Sequence, residues 1–221
     1  MSLNLIWIII TLLFTFLTSA IFAGGLKLPR NLYLLIYIPL GLTVFNLFVF
    51  TTVLDIIKHL IYNCYWGLAG AAIAAVIVIK NVLSQPASKS NTGILLIRDI
   101  IWSGFLFGLV DSLLLSVLPI LAVKQELINV EWAGNFLVGF IALTVSSVIT
   151  AVYHLGYPEF RNKTVLWTVF GNGVLSLAFI VTMNPLAAII PHIAMHIAAI
   201  IHGPKTTGQV PPHYKEKENQ Q

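Results

Sequence analysis

Residues 184–202 read NPLAAIIPHIAMHIAAIIH, and the reading of this stretch decides the fold. From Leu186 to His202 it is apolar enough to sit in a membrane, yet it carries His192 and His196. Residues one helical turn apart share a face, so both imidazoles point the same way. Ionisable groups inside a membrane helix are costly, turn toward the protein interior and mark functional sites.

The rest of the chain places this helix among others like it. Its 221 residues are 58% hydrophobic and only 9% charged, with a mean hydropathy of +0.92. A soluble domain carries about 25% charged residues, which excludes that class. Apolar runs of about 20 residues, the length of a membrane-crossing helix, recur along the sequence. They are continuous, without the alternation of a membrane barrel. The expectation is an all-α polytopic transmembrane helix bundle of seven spans, at 3–23, 32–54, 60–79, 100–123, 133–153, 164–183 and 185–202. Residues 1–203 then form a single transmembrane domain, and 204–221 a polar, solvated tail. Met1-Ser2-Leu3-Asn4 lacks the positive start of a signal peptide, so the first apolar run reads as a span.

Seven spans sort the basic residues. Lys27, Arg30, Lys80, Lys89, Arg98, Arg161, Lys163, Lys205, Lys215 and Lys217 fall on one side, and only Lys58 and Lys124 on the other. Such a bias puts the first group in the cytoplasm, the N-terminus outside and the C-terminus inside, as in a multi-pass protein of the cell membrane. The formal net charge of +4 therefore reports topology. No basic stripe or nucleic-acid motif accompanies it, which excludes that partner. The single cysteine, Cys64, forms no intramolecular disulfide and reads as a small buried residue.

Several segments have local readings. Gly67-x-x-Gly70 and the alanines after it make the third span a close-packing helix. Residues 80–98, with Gln85-Pro86 and Ser88-Lys89-Ser90-Asn91, read as the longest internal loop, and Lys124, Glu126 and Glu131 as a short one. Asp55 and His59 read as a solvated end of the second span, His202 and His213 as interfacial or tail residues, and Glu159 with Arg161 as a salt-bridged turn or gate.

Four ionisable residues remain at membrane depth: Asp111, His154, His192 and His196, with Asn172 as a weaker fifth. They come from four spans, with His192 and His196 sharing the last, and polar groups in lipid seek one another because nothing else solvates them. Three chemistries remain open. His154, His192 and His196 with a carboxylate can make a zinc-like shell that activates water. The same residues can do metal-free acid–base work. Or the histidines hydrogen-bond across helices and specify packing only.

His154 at the end of span five, His192-x-x-x-His196 on span seven and a carboxylate on an earlier span resemble the CPBP family, the intramembrane CAAX-type proteases and their bacteriocin-processing and immunity relatives. The resemblance implies that His154 and His192 are the two family histidines, that His196 stands where an Asn often stands, and that Asp111 takes the place of a glutamate. The family's Glu-Glu-x-x-x-Arg motif has no counterpart, and Thr150 stands where the family has Phe. A weaker resemblance is to the alkaline ceramidase and adiponectin-receptor group, which implies zinc on His59, His192 and His196. The first resemblance implies an intramembrane hydrolase, and the location of the site within the bilayer suggests a lipid, lipidated peptide or membrane peptide as its substrate. The rival expectation is a non-enzymatic membrane protein (a carrier, a haem-binding subunit or an immunity-like factor) whose cluster is structural.

Overall fold

The computed structural model describes residues 2–128, 130 and 134–210. Met1, Glu131, His213, Lys215, Lys217 and the rest of 211–221 lie outside the described residues, and so do the expectations placed on them. Among the described residues the regular structure is entirely helical. Continuous apolar runs leave the backbone no partner but itself, and a helix satisfies every interior N–H and C=O. The helices are α1 (Leu3–Gly25), α2 (Arg30–Thr51), α3 (Ile56–Ile61), α4 (Cys64–Leu83), α5 (Gly93–Leu127), α6 (Asn135–Gly156), α7 (Thr164–Thr182) and α8 (Leu186–His202). All but α3 and α8 are long and apolar enough to cross a membrane. The last expected span is the shorter apolar helix α8.

The centre of the bundle is α5. In its most apolar window 89% of residues are buried, against 22–39% for the other five long helices. Those five instead expose large apolar side chains such as Leu13, Leu35, Ile73, Phe140 and Phe170, the surface a bilayer would cover. α5 is not uniform. Ile100–Leu106 and Leu113–Val117 are wound as π-helix on either side of Asp111. Such turns shift the backbone ladder and occur often at functional sites.

Small residues and turns hold the other helices to one another. α8 packs most extensively on α4. A Cβ on Gly67 would stand 2.6 Å from the Asn184 side chain, so only glycine fits there, as the small-residue pattern of that span expects. Asn184 is fully buried in the α7–α8 turn, donates to the carbonyls of Leu60 and Tyr62 at 2.9 and 2.6 Å, and accepts from Leu186 N at 2.9 Å. Met183 before it takes a left-handed conformation (φ 59°), which reverses the chain. α1 meets α6 equally closely: a Cβ on Gly156 would overlap Ser19, whose hydroxyl donates to Tyr153 O at 2.8 Å.

Several expected loops differ. The loop at 80–98 shrinks to 84–92, because α4 continues to Leu83 and the apolar run Ile94–Ile97 makes helix from Gly93 on. Lys124 and Glu126 belong to the last turns of α5, and Glu126 accepts from Ser2 Oγ at 2.5 Å at the start of α1. His59 sits in α3, apart from α2, with Asp55 capping that helix through Lys58 N at 2.9 Å. Arg161 makes no ion pair with Glu159 among the described residues; its guanidinium donates to Leu155 O and Gly156 O, the free carbonyls ending α6. Cys64 is half-buried at the start of α4.

The start of the segment after His202 is more structured than its composition suggests. Residues 204–210 fold back over one end of the bundle, with Lys205, Thr206 and Gly208 still exposed. Thr207 and Val210 are buried, Thr206 Oγ1 donates to Pro86 O, Lys205 N donates to Ser88 Oγ at 3.0 Å, and Gly208 N to Gln85 Oε1 at 3.1 Å. His202 joins this strap through Nε2, 2.8 Å from Gln85 O. The polar composition that suggests solvent instead satisfies the carbonyls of the α4–α5 loop.

Candidate functional site

Gly108 of α5 allows the site to form. A Cβ there would meet Ile193 Cα at 2.9 Å and His196 Cδ2 at 3.0 Å, so its absence lets α5 lie directly on α8. One turn later Asp111 faces the two histidines. Asp111, His192 and His196 are each buried, and one ligand atom from each lies within 4.8 Å of the others. His196 Nε2 is 4.0 Å from Asp111 Oδ2. The two rings stack at 5.1 Å with 9° between planes, as the one-turn spacing expects, and Phe107 sets its ring edgewise to His196 at 4.9 Å.

The two sides of this cluster differ in hydrogen bonding. Asp111 is held firmly. Tyr37 donates to Oδ1 at 2.8 Å, and the Tyr153 ring stacks on that of Tyr37 at 5.8 Å. Behind them Tyr157 donates to Tyr153 at 2.7 Å and lies 2.7 Å from the Tyr33 hydroxyl. Since the Tyr157 proton is used toward Tyr153, Tyr33 donates to Tyr157. The histidines have no such support. His192 Nδ1 and both ring nitrogens of His196 are buried without a hydrogen-bond partner, and the Gln209 backbone approaches His196 without closing one. A buried polar atom without a partner costs about 1–3 kcal/mol, and most native ones are satisfied.

The cluster is reachable. Asp111, His192 and His196 line a cavity of about 460 Å³ between α4, α7 and α8, whose mouth lies beside Gln85, Glu159 and the 204–210 strap. His154 lines the same cavity but stands outside the three-residue group. Its Nδ1 donates to Thr150 O at 2.8 Å, which leaves the lone pair on Nε2. Its ring is fixed edgewise by Tyr153 at 5.0 Å and Phe160 at 5.1 Å.

Asn172 also borders the cavity but belongs to a different network. It accepts from Ser116 at 2.9 Å and donates to Ser146 at 3.0 Å, while Ser146 donates to Leu115 O at 2.6 Å inside the second π-helical segment. His59 does not approach the cluster: it lies beside the Asn184 turn, at the end of α8 away from the strap.

The tyrosines were missed by sequence reasoning. Tyr33, Tyr37 and Tyr153 occur in apolar runs where an aromatic residue reads as core. Their signal was the phenol itself, since a buried Tyr hydroxyl needs a partner: Tyr37 finds Asp111, and Tyr33, Tyr153 and Tyr157 find one another. No family model, curated protein or solved structure matches this chain.

Proposed function

We propose that this chain is a multi-pass protein of the cell membrane, with the cavity mouth toward the cytoplasm, in which Asp111, His192 and His196 hold a divalent cation for hydrolysis of a membrane-embedded substrate. One observation carries the reading: three buried ligand atoms converge on an accessible cavity, and three imidazole nitrogens there have no other partner. Two histidines and a carboxylate are the donor set of catalytic zinc sites, which keep a further position open. Zinc supplies Lewis acidity and lowers the pKa of water.

The chain's own residues have separable roles. Tyr37 orients the Asp111 carboxylate, as outer partners of metal ligands do. His154 Nε2, unprotonated and facing the cavity, takes a proton from the attacking water. The water oxygen goes to the acyl carbon, the bond to the leaving group breaks, and that proton passes to the leaving group. The resemblance of His154 and His192-x-x-x-His196 to the CPBP histidines supports a hydrolase. The eight basic residues on the mouth side among the described ones, against Lys58 and Lys124, support the orientation.

A second reading is favoured by the completeness of the Tyr–Asp111 network: the cluster is structural, in a carrier or immunity-like protein. Metal analysis of the purified chain separates the two. Zinc bound in the native protein and lost from His196→Ala is the expected result. No metal in either, with unchanged stability of the variant, overturns the metal site.

A further inference from the structure

The cavity is also bounded by a parting of two helices. At one end α4 and α7 are in close contact, where a Cβ on Gly70 would stand 2.7 Å from Thr182 Cγ2. Toward the other end they separate. There α4 follows α8, with Val82 buried against Ala199, Ile200 and Val210. At this end Asn81 of α4 and Thr164, Trp167 and Gly171 of α7 all line the cavity. Asn81, Thr164 and Trp167 are exposed, and a Cβ on Gly171 would meet nothing within 4 Å. His192 and His196 form the floor of this gap. Trp167 lies one turn from the start of α7, the depth at which Trp favours the lipid headgroup region.

The charge that an entering ligand meets has one sign. Asp111 is deeply buried and its charge is offset by the cation of the proposed site, which leaves the exposed Glu159 carboxylate as the charged lining group; no Lys or Arg lines the cavity among the described residues. Lys80 and Lys163 stand at the same end, exposed to the outside. A cleft lined by one sign repels ligands of that sign. Its volume of about 460 Å³ falls in the range of about 300–1,000 Å³ typical of small-molecule sites.

We infer that the gap between α4 and α7 is a lateral portal, through which an uncharged or cationic single-chain amphiphile enters from the bilayer and lays its head beside Glu159 and its chain along Gly171. This names the substrate class for the metal-site reading and rests on that reading for the chemistry after binding. The full chain in phosphatidylcholine nanodiscs tests it with two photoreactive probes of identical diazirine-bearing palmitoyl chain, one an N-acyl ethanolamine (neutral) and one an N-acyl glycine (anionic). The neutral probe is expected to label α7 and α8 peptides about ten-fold more than the anionic one, a difference of about 1.4 kcal/mol. Gly171→Leu, which fills open space, is expected to abolish the labelling while leaving thermal stability and metal content unchanged. Glu159→Lys is expected to remove the preference against the anionic probe. Equal labelling by both probes, labelling confined to outward residues such as Leu166 and Phe170, or insensitivity to Gly171→Leu overturns the portal. So does displacement of the label by a soluble peptide. Metal content is measured on the same samples: selective labelling without metal leaves the portal standing and removes the metal site, and metal without selective labelling does the reverse.

Discussion

Two buried polar clusters flank the middle of α5, and they are built on opposite terms. Ser116, Ser146, Asn172 and Ser176 bind one another at 2.8–3.4 Å, and the Leu115 carbonyl takes the Ser146 proton. Asp111, His192 and His196 bring ligand atoms within 4.8 Å of one another, yet three imidazole nitrogens among them have no partner. In lipid a polar group without a partner is not solvated elsewhere. A cluster that satisfies itself needs nothing more and holds α5, α6 and α7 in register. A cluster that keeps open nitrogens beside a cavity retains capacity for a ligand.

The comparison is tested most strongly by removing charge from the open cluster. Asp111→Asn keeps an oxygen for Tyr37 but loses the anionic ligand. Metal affinity is expected to fall more than ~100-fold, beyond the ~10–100-fold that loss of an outer partner costs. Mass spectrometric metal analysis after dialysis against zinc buffers measures it. Retention of metal would show that the two clusters do not differ in kind.

Tyr37→Phe comes next. It leaves the Asp111 charge but removes the 2.8 Å hydrogen bond that orients it. An affinity loss of about ten-fold is expected, at the lower end for outer-shell partners. A loss as large as that of Asp111→Asn would mean that the phenol is itself a ligand.

The closed cluster should respond in the other observable. Asn172→Ala leaves Ser116 and Ser146 each short of a partner, so unfolding in detergent is expected to become easier by about 0.6–2 kcal/mol, the range for polar contacts within membranes. Metal content should not change. Loss of metal with little loss of stability would reverse the assignment of the clusters.

These contrasts were only partly legible in the sequence. The helical bundle was legible because lipid imposes one rule on every span, and runs of about 20 apolar residues display it. His192 and His196 were legible as a pair because their geometry is local, fixed by one helical turn. Their meeting with Asp111 was an expectation from cost alone; the close approach at Gly108 that produces it depends on how two distant helices pack. The tyrosine chain was hidden for the same reason. So were the π-helical turns around Asp111, which leave no mark in composition. The contacts of the strap at 204–210 were not legible either, because polar residues that cap loop carbonyls look like polar residues in water.

His59 gives a third environment, outside the spans, and the smallest expected effect. Partial burial is the main cause that lowers its pKa from the ordinary value, and the Lys124 ammonium adds to this, against Asp55. The folded protein thus binds a proton at His59 less readily than the unfolded chain. Stability then rises with pH through this window and falls as pH drops below about 6.5, the ordinary histidine value, toward the lowered one. Because the site is only partly buried, solvent screens part of this, and the effect is small. His59→Gln keeps the backbone carbonyl that accepts from Asn184 at 3.3 Å and removes the titration. Melting curves from pH 7.5 to pH 5 should therefore show the native chain losing slightly more stability on acidification than the variant, a difference read as a small shift in Tm. If the native chain instead lost less, His59 would be gaining a partner when protonated, and Asp55 rather than Lys124 would govern it.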